Sequence, residues 1–176
     1  QYMGFNLKNP IIAASSGMTD TADKIKNLEV NGVGAVVLKS LFEEQIMMEI
    51  DAVTAANIVK NYGDEEDYIS FYTRKHHIDN YLKLIEQSKS LVDIPVIASL
   101  NAYSVGQWVN FAERIESAGA DGLELNLFLL PGDQRFSGQE IEEIYLDIIR
   151  GVRKNTKLPI AVKVSTYFSG MADSLI

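Results

Sequence analysis

The sequence predicts an α/β fold of parallel strands, and three observations lead there. Short apolar runs alternate with stretches of helical periodicity along the 176 residues. The runs are apolar nearly throughout, as in strands buried on both faces. Three of them deliver a polar residue near the far end: Lys39 after Ala35–Leu38, Asn126 within Leu123–Leu127, and Lys163 within Pro159–Ser165. The carboxyl edge of a parallel sheet is where ligands bind. An ammonium, an amide and a second ammonium are therefore expected to converge on one face.

Taken in order, Tyr2 to Asn9 reads as a short hairpin with Gly4 or Asn6 near its turn. Pro10 introduces the first strand, Ile11–Ala14, and Ala14-Ser15-Ser16-Gly17 is a small-residue loop that lets a ligand approach the backbone. The same loop also fits an ordinary strand-to-helix turn. Thr19 or Asp20 can cap the next helix, which runs to about Asn31. The second strand is Ala35–Lys39. A long mixed stretch follows to about His76, with an acidic patch Asp64-Glu65-Glu66-Asp67 that reads as solvated surface. Connections of that length are often lids or binding loops. His76 and His77 have no metal-ligand spacing around them and read as surface or loop residues.

Helical periodicity then runs from His77 to Leu91 through Ile78, Leu82 and Ile85. The third strand is Pro95–Leu100, with Ser99 and Asn101 at its end. Ser104 caps a helix with Trp108 on its apolar side. Gly119 closes that helix, since glycine takes the left-handed turn at a helix end. The fourth strand is Leu123–Leu127. Gln139 to about Lys154 is a helix with Ile141, Ile144, Tyr145, Ile148, Ile149 and Val152 inward. The fifth strand ends at Lys163-Val164-Ser165.

Composition narrows the function. The chain is 47% hydrophobic and 23% charged, with length enough for one domain, residues 1–176, and a sizeable core. No run spans a membrane and none reads as a signal peptide. Cysteine is absent, which fits a cytoplasmic protein. The net charge of −8 disfavours a nucleic-acid partner, which would want a basic face. A small-molecule ligand and no metal are expected.

Two architectures fit five candidate strands: an open doubly wound sheet and a β/α barrel. No Gly-x-Gly-x-x-Gly follows the first strand, which speaks against a dinucleotide fold. A barrel needs eight strands and roughly 250 residues. The residues then point to a family. Leu7-Lys8-Asn9-Pro10-Ile11-Ile12-Ala13-Ala14-Ser15-Ser16-Gly17 resembles the opening of the dihydroorotate dehydrogenase family, and so do Val37-Leu38-Lys39-Ser40, Glu124-Leu125-Asn126-Leu127 and Ile160-Ala161-Val162-Lys163-Val164, in order and spacing.

The resemblance implies a TIM (β/α)8 barrel cut to about five βα units, with a short N-terminal hairpin. It further implies an FMN-dependent oxidoreductase acting on a CH–CH bond, dihydroorotate to orotate, in pyrimidine biosynthesis. By position, Ser16 and Gly17 would lie along the flavin, and Lys39 and Ser40 would contact flavin and substrate. Asn126 would bond the pyrimidine or flavin, Lys163 would reach the flavin ring, and Ser99 falls where relatives often have an amide facing it. A homodimer is compatible with this reading. The sequence is expected to be part of a longer product, or to take its missing strands from elsewhere in the molecule, because two open sheet edges would invite aggregation.

Two departures stand out. The family's catalytic Cys or Ser after the fourth strand falls at Phe128 and Leu129, neither of which accepts a proton. General-base catalysis is worth roughly 10²–10⁴-fold. Ser137 could replace it only if the loop folded back. The family's substrate-gripping element after strand two is replaced by Tyr72-Thr73-Arg74-Lys75-His76-His77 and the residues before it. Rival readings are a flavin-binding relative without dihydroorotate chemistry, a non-catalytic scaffold, and a flavin enzyme acting on tRNA uridine, which the acidic charge disfavours.

Overall fold

The computed structural model describes residues 1–42, 65–101, 105–127 and 137–164, with main chain alone at 65–75 and 105–110. The Ser104 cap, the core role of Trp108, the loop residues Phe128 and Leu129, and the tail after Val164 lie outside the described residues or side chains.

The strands are β1 (Ile12–Ala13), β2 (Ala35–Val37), β3 (Leu41–Phe42), β4 (Val96–Asn101), β5 (Gly122–Leu127) and β6 (Ile160–Val164). All described pairings between them are parallel, and β1, β2, β4, β5 and β6 lie side by side in chain order. A doubly wound sheet reverses its order at a switch point. No reversal occurs among these strands, so the order is that of a barrel wall, curled as a half-barrel. The first strand is shorter than expected and half-buried, since β1 has a neighbour on one side only among the described strands.

The helices are α1 (Ala22–Val30), α2 (Glu65–Leu91), α3 (Val105–Ser117) and α4 (Gly138–Lys154). Two expectations change here. The cap of α1 is Thr21 and makes no side-chain bond; Thr19 is buried and bonded to Ser16 instead, and Asp20 pairs with Lys24 at 2.7 Å. Helix α2 begins at Glu65, so most of the acidic patch and the whole stretch from Tyr72 to His77 are helical rather than connecting chain. His76 is exposed and Nε2 lies 2.9 Å from the Asn80 amide one turn on. The end of α3 is as read: Gly119 has φ +92 and its N–H donates to Glu116.

Alternate residues of the strands divide the molecule. Val96, Ala98, Leu100, Leu123, Leu125 and Leu127 pack outward against Ile85, Phe111, Ile115, Tyr145, Ile148 and Val152 of the helices. A fully buried side chain of this size contributes about 1.5–3 kcal/mol by leaving water. This outer layer therefore holds the helices to the sheet and frees the inner face for polar groups.

The expected hairpin reduces to one antiparallel bridge, Tyr2 to Phe5, turned through Met3 and Gly4. It has a specific seat. A Cβ on Gly122 would stand 2.9 Å from Met3 and 3.5 Å from Phe5, so the turn packs where β5 begins and lacks a side chain.

The amino-terminal edge of the sheet is fastened by carboxylates. Glu29 of α1 accepts the N–H of Asp93 at 2.7 Å and of Ile94 at 3.2 Å, ahead of β4. Asp121, ahead of β5, accepts the Val96 N–H at 2.7 Å and pairs with Lys89 of α2 at 2.8 Å. Glu116 of α3 accepts the Thr156 hydroxyl at 2.7 Å and the Lys157 N–H at 2.9 Å, ahead of β6. Glu29 is held below the usual carboxylate range by Lys26 first, and Glu116 by the Thr156 hydroxyl first. A depressed folded-state value adds stability that is full above the unfolded value and is lost as pH falls through the folded one. The expected outcome is a melting temperature that drops on acidification below about pH 4.5, the ordinary carboxylate value. Glu116→Gln should melt lower at neutral pH and show a shallower drop, as scanning calorimetry across pH would register.

Candidate functional site

The inner face of the sheet is a set of rungs read off the strand register. The lowest is Val37, Ile97 and Gly122. The next is Ser99, Glu124 and Ala161. The highest, at the carboxyl edge, is Phe42, Asn101, Asn126 and Lys163. Neighbouring parallel strands lie about 4.8 Å apart, so this rung sets two amides and an ammonium side by side. Polarity rises from bottom to top. Asn126 and Lys163 are brought together as the sequence predicts, in direct register. Sequence reasoning placed Asn101 at a strand end without giving it a role. It also took Leu123–Leu127 as apolar but for Asn126, passing over Glu124. Two-residue alternation puts Glu124 on the same face as Asn126.

Lys39 arrives by a different route. Val37 pairs with Ile97 and Leu41 with Leu100, so three residues of one strand face two of the other. The extra residue is a bulge, a device that re-aims side chains beside sites. It separates β2 from β3 and leaves Lys39 exposed while Leu38 and Ser40 are buried. The Lys39 N–H turns to the Thr19 carbonyl at 3.1 Å. Asp20 is kept below the usual carboxylate range by its bond to Lys24 first, with the Lys24 and Lys39 charges adding to that.

The bulge breaks the ladder opposite Ser99. Residues 95 and 97 give their carbonyls to Val36 and Leu38 of the neighbouring strand, at 3.0 and 2.9 Å. At Ser99 a side chain takes over. The Tyr81 phenol of α2 donates to the Ser99 carbonyl at 3.0 Å and accepts the Ser99 N–H at 2.7 Å. Burial pushes this phenol above its usual range; the Ser99 amide bond pulls the other way, and the Glu124 charge raises it further. It stays protonated and can donate at every ordinary pH.

A chain of hydroxyls crosses the same place. Ser15 Oγ and Ser40 Oγ are 2.9 Å apart, and the Ser40 N–H donates back to Ser15 Oγ at 2.8 Å. Ser40 Oγ and Ser99 Oγ are 2.7 Å apart, and Ser99 Oγ donates to Glu124 Oε1 at 3.0 Å. Ser99 is wholly buried, and its hydroxyl is engaged by Ser40 on one side and Glu124 on the other. Ser40 is buried as well. Ser16 closes a tight turn with Thr19, and Gly17 is exposed with nothing within 4 Å of where a side chain would start, leaving the loop face open. Ser137 caps α4 in a reciprocal capping box with Glu140, so it does not fold back as a base.

Among the described residues no group of three or more His, Asp or Glu is placed to hold a metal ion, and no helix is long and apolar enough to cross a membrane.

No protein-family model matches the chain. In fold it is similar to solved TIM-barrel enzymes. A dihydrodipicolinate synthase family protein from Coccidioides immitis superposes with a TM-score of 0.53 at 14% identity, covering 96% of this chain and 48% of that one. A phosphonomutase from Burkholderia cenocepacia gives 0.51 at 13% identity, over 96% and 59%. These likenesses are of fold alone.

In sequence the chain is similar to dihydroorotate dehydrogenase B (NAD(+)) catalytic subunits. That of Thermoplasma acidophilum is 28% identical, over 97% of this chain and 55% of the relative. That of Thermoplasma volcanium is 25% identical, over 97% and 54%. The chain spans about half the length of the curated relatives it matches, and the match is of N-terminal type, as the motifs predict.

Tyr81→Phe removes both bonds to the Ser99 main chain and leaves a buried N–H and C=O without a partner. The expected loss of stability is about 2–4 kcal/mol, read as a lower denaturation midpoint with an unchanged slope.

Proposed function

We propose that the intact protein is an FMN-dependent oxidoreductase of the dihydroorotate dehydrogenase type, acting on a CH–CH bond of dihydroorotate or a related pyrimidine. The observation that carries this is the upper rung, where Asn126 and Lys163 stand in register beside Asn101, with Lys39 at the bulge one strand away. The similarity to dihydroorotate dehydrogenase catalytic subunits supports it.

The residues fit the cofactor. Lys163 is exposed and makes no ion pair among the described residues, so its charge is free to meet an anionic ring edge. FMN, when bound, supplies the hydride acceptor. Fixed ammonium groups stabilise the negative charge that develops on reduction, and are worth most where water is excluded. Asn101 and Asn126 offer paired donors and acceptors to a planar pyrimidine. The exposed loop at Ser16 and Gly17 gives a ring room to lie against the backbone. Lys39 and Ser40 belong to the same site, Ser40 through its bonds rather than its surface. The whole would be the N-terminal part of a TIM barrel, working in the cytoplasm, as a homodimer.

A second reading keeps FMN and changes the substrate. Phe128 and Leu129 accept no proton, and Ser137 is committed to its helix. Flavin with no orotate formed would favour it.

The test is the visible spectrum of the intact protein before and after anaerobic addition of dihydroorotate. Flavin bands that bleach are expected. Bands that persist move the search to other substrates, and a colourless protein that takes up no FMN sinks the flavin reading. Lys163→Ala should weaken FMN retention by roughly ten- to a hundredfold, the scale of a charge-assisted bond, as fluorescence titration would measure.

A further inference from the structure

The hydroxyl chain takes no direct part in the chemistry proposed above, yet it ties together the strands on either side of the bulge. Ser15 follows β1, Ser40 lies between β2 and β3, Ser99 is in β4 and Glu124 in β5. Glu124 offers a carboxylate, which accepts and does not donate, so the Ser99 proton is committed to it. Ser99 must then receive the Ser40 proton across 2.7 Å, and Ser40 the Ser15 proton across 2.9 Å. Each hydroxyl has one direction open to it, and the four side chains act as a unit.

We propose that Ser99, oriented by Glu124, is a positioning residue that locks Ser40 in the bulge and thereby fixes the direction in which Lys39 leaves the strand. Lys39 and Ser40 are adjacent, and a one-residue slip turns a strand side chain to the opposite face. The bulge carries an unpaired residue, so no ladder bond enforces the register there. The Ser40 bonds to Ser15 and Ser99 replace it. Ser99 reaches the ligand only through Lys39.

The test has two arms, and only the second rests on the flavin reading. The first is hydrogen exchange at the Ser40 amide in the intact protein. Ser99→Ala should speed it by about tenfold or more, the scale of a lost buried bond, and Ser99→Thr, which keeps the hydroxyl, should not. Unchanged exchange in Ser99→Ala overturns the proposal. The second is a double-mutant cycle on FMN affinity. Ser99→Ala should weaken binding about tenfold in the wild-type background and not at all in Lys39→Ala. Equal losses in both backgrounds overturn it. Should the threonine methyl not fit, Ser40→Ala cuts the same link from the other side, and the double variant should lose no more than either single one. A protein that takes up no FMN refutes the flavin reading alone, and the exchange arm still decides the lock.

Discussion

The phenol of Tyr81 stands where a strand should be. A parallel sheet pairs nearly every buried main-chain group with a neighbouring strand, and an orphaned pair is costly. The bulge withdraws that neighbour from Ser99, and one hydroxyl from a helix answers both the N–H and the C=O. Without this repair the chain could not depart from regular pairing at residues 38–40, and Lys39 would lie flat in the ladder. Local irregularity at the site and regularity of the barrel wall are thus reconciled by one buried side chain from a helix.

The sheet separates two kinds of work between its faces. Outward residues of β4 and β5 are Val, Ala and Leu, and the helices pack on them. Inward residues change from Val37 and Ile97 at the base to Ser99 and Glu124, then to Asn101, Asn126 and Lys163 at the rim. Stability is drawn from the outer layer and from the clasps at the amino-terminal edge. Binding groups can then gather at the carboxyl edge without weakening the core.

Much of this was legible in the sequence. The parallel α/β class followed from alternating apolar runs and helical stretches. The alignment of Asn126 with Lys163 followed from their matched places at strand ends. What was hidden was hidden for physical reasons. Tyr81 falls on the inward side of a helix, where periodicity reads it as packing, and nothing local reveals that its hydroxyl serves a strand. The bulge depends on a pairing offset between residues far apart in sequence. Ser99 sits near a strand end, and its bonds to Ser40 and Glu124 join residues 59 and 25 positions apart, which no local pattern reveals. Glu124 could have been found, since it precedes Asn126 by two residues, but its place in a leucine-rich run masked it. The start of α2 was missed because its first turns are acidic and carry little apolar periodicity.

The seat of Met3 and Phe5 on Gly122 bears on the order in which the molecule assembles. The turn at residues 2–5 docks against a strand more than a hundred residues further along the chain. During synthesis, which proceeds from the amino end, those side chains have no partner until β5 has been made. Closing so long a loop is entropically costly, though the cost grows only slowly with length. These residues are thus made well before their seat exists, and settle against the base of the sheet only once β5 is in place.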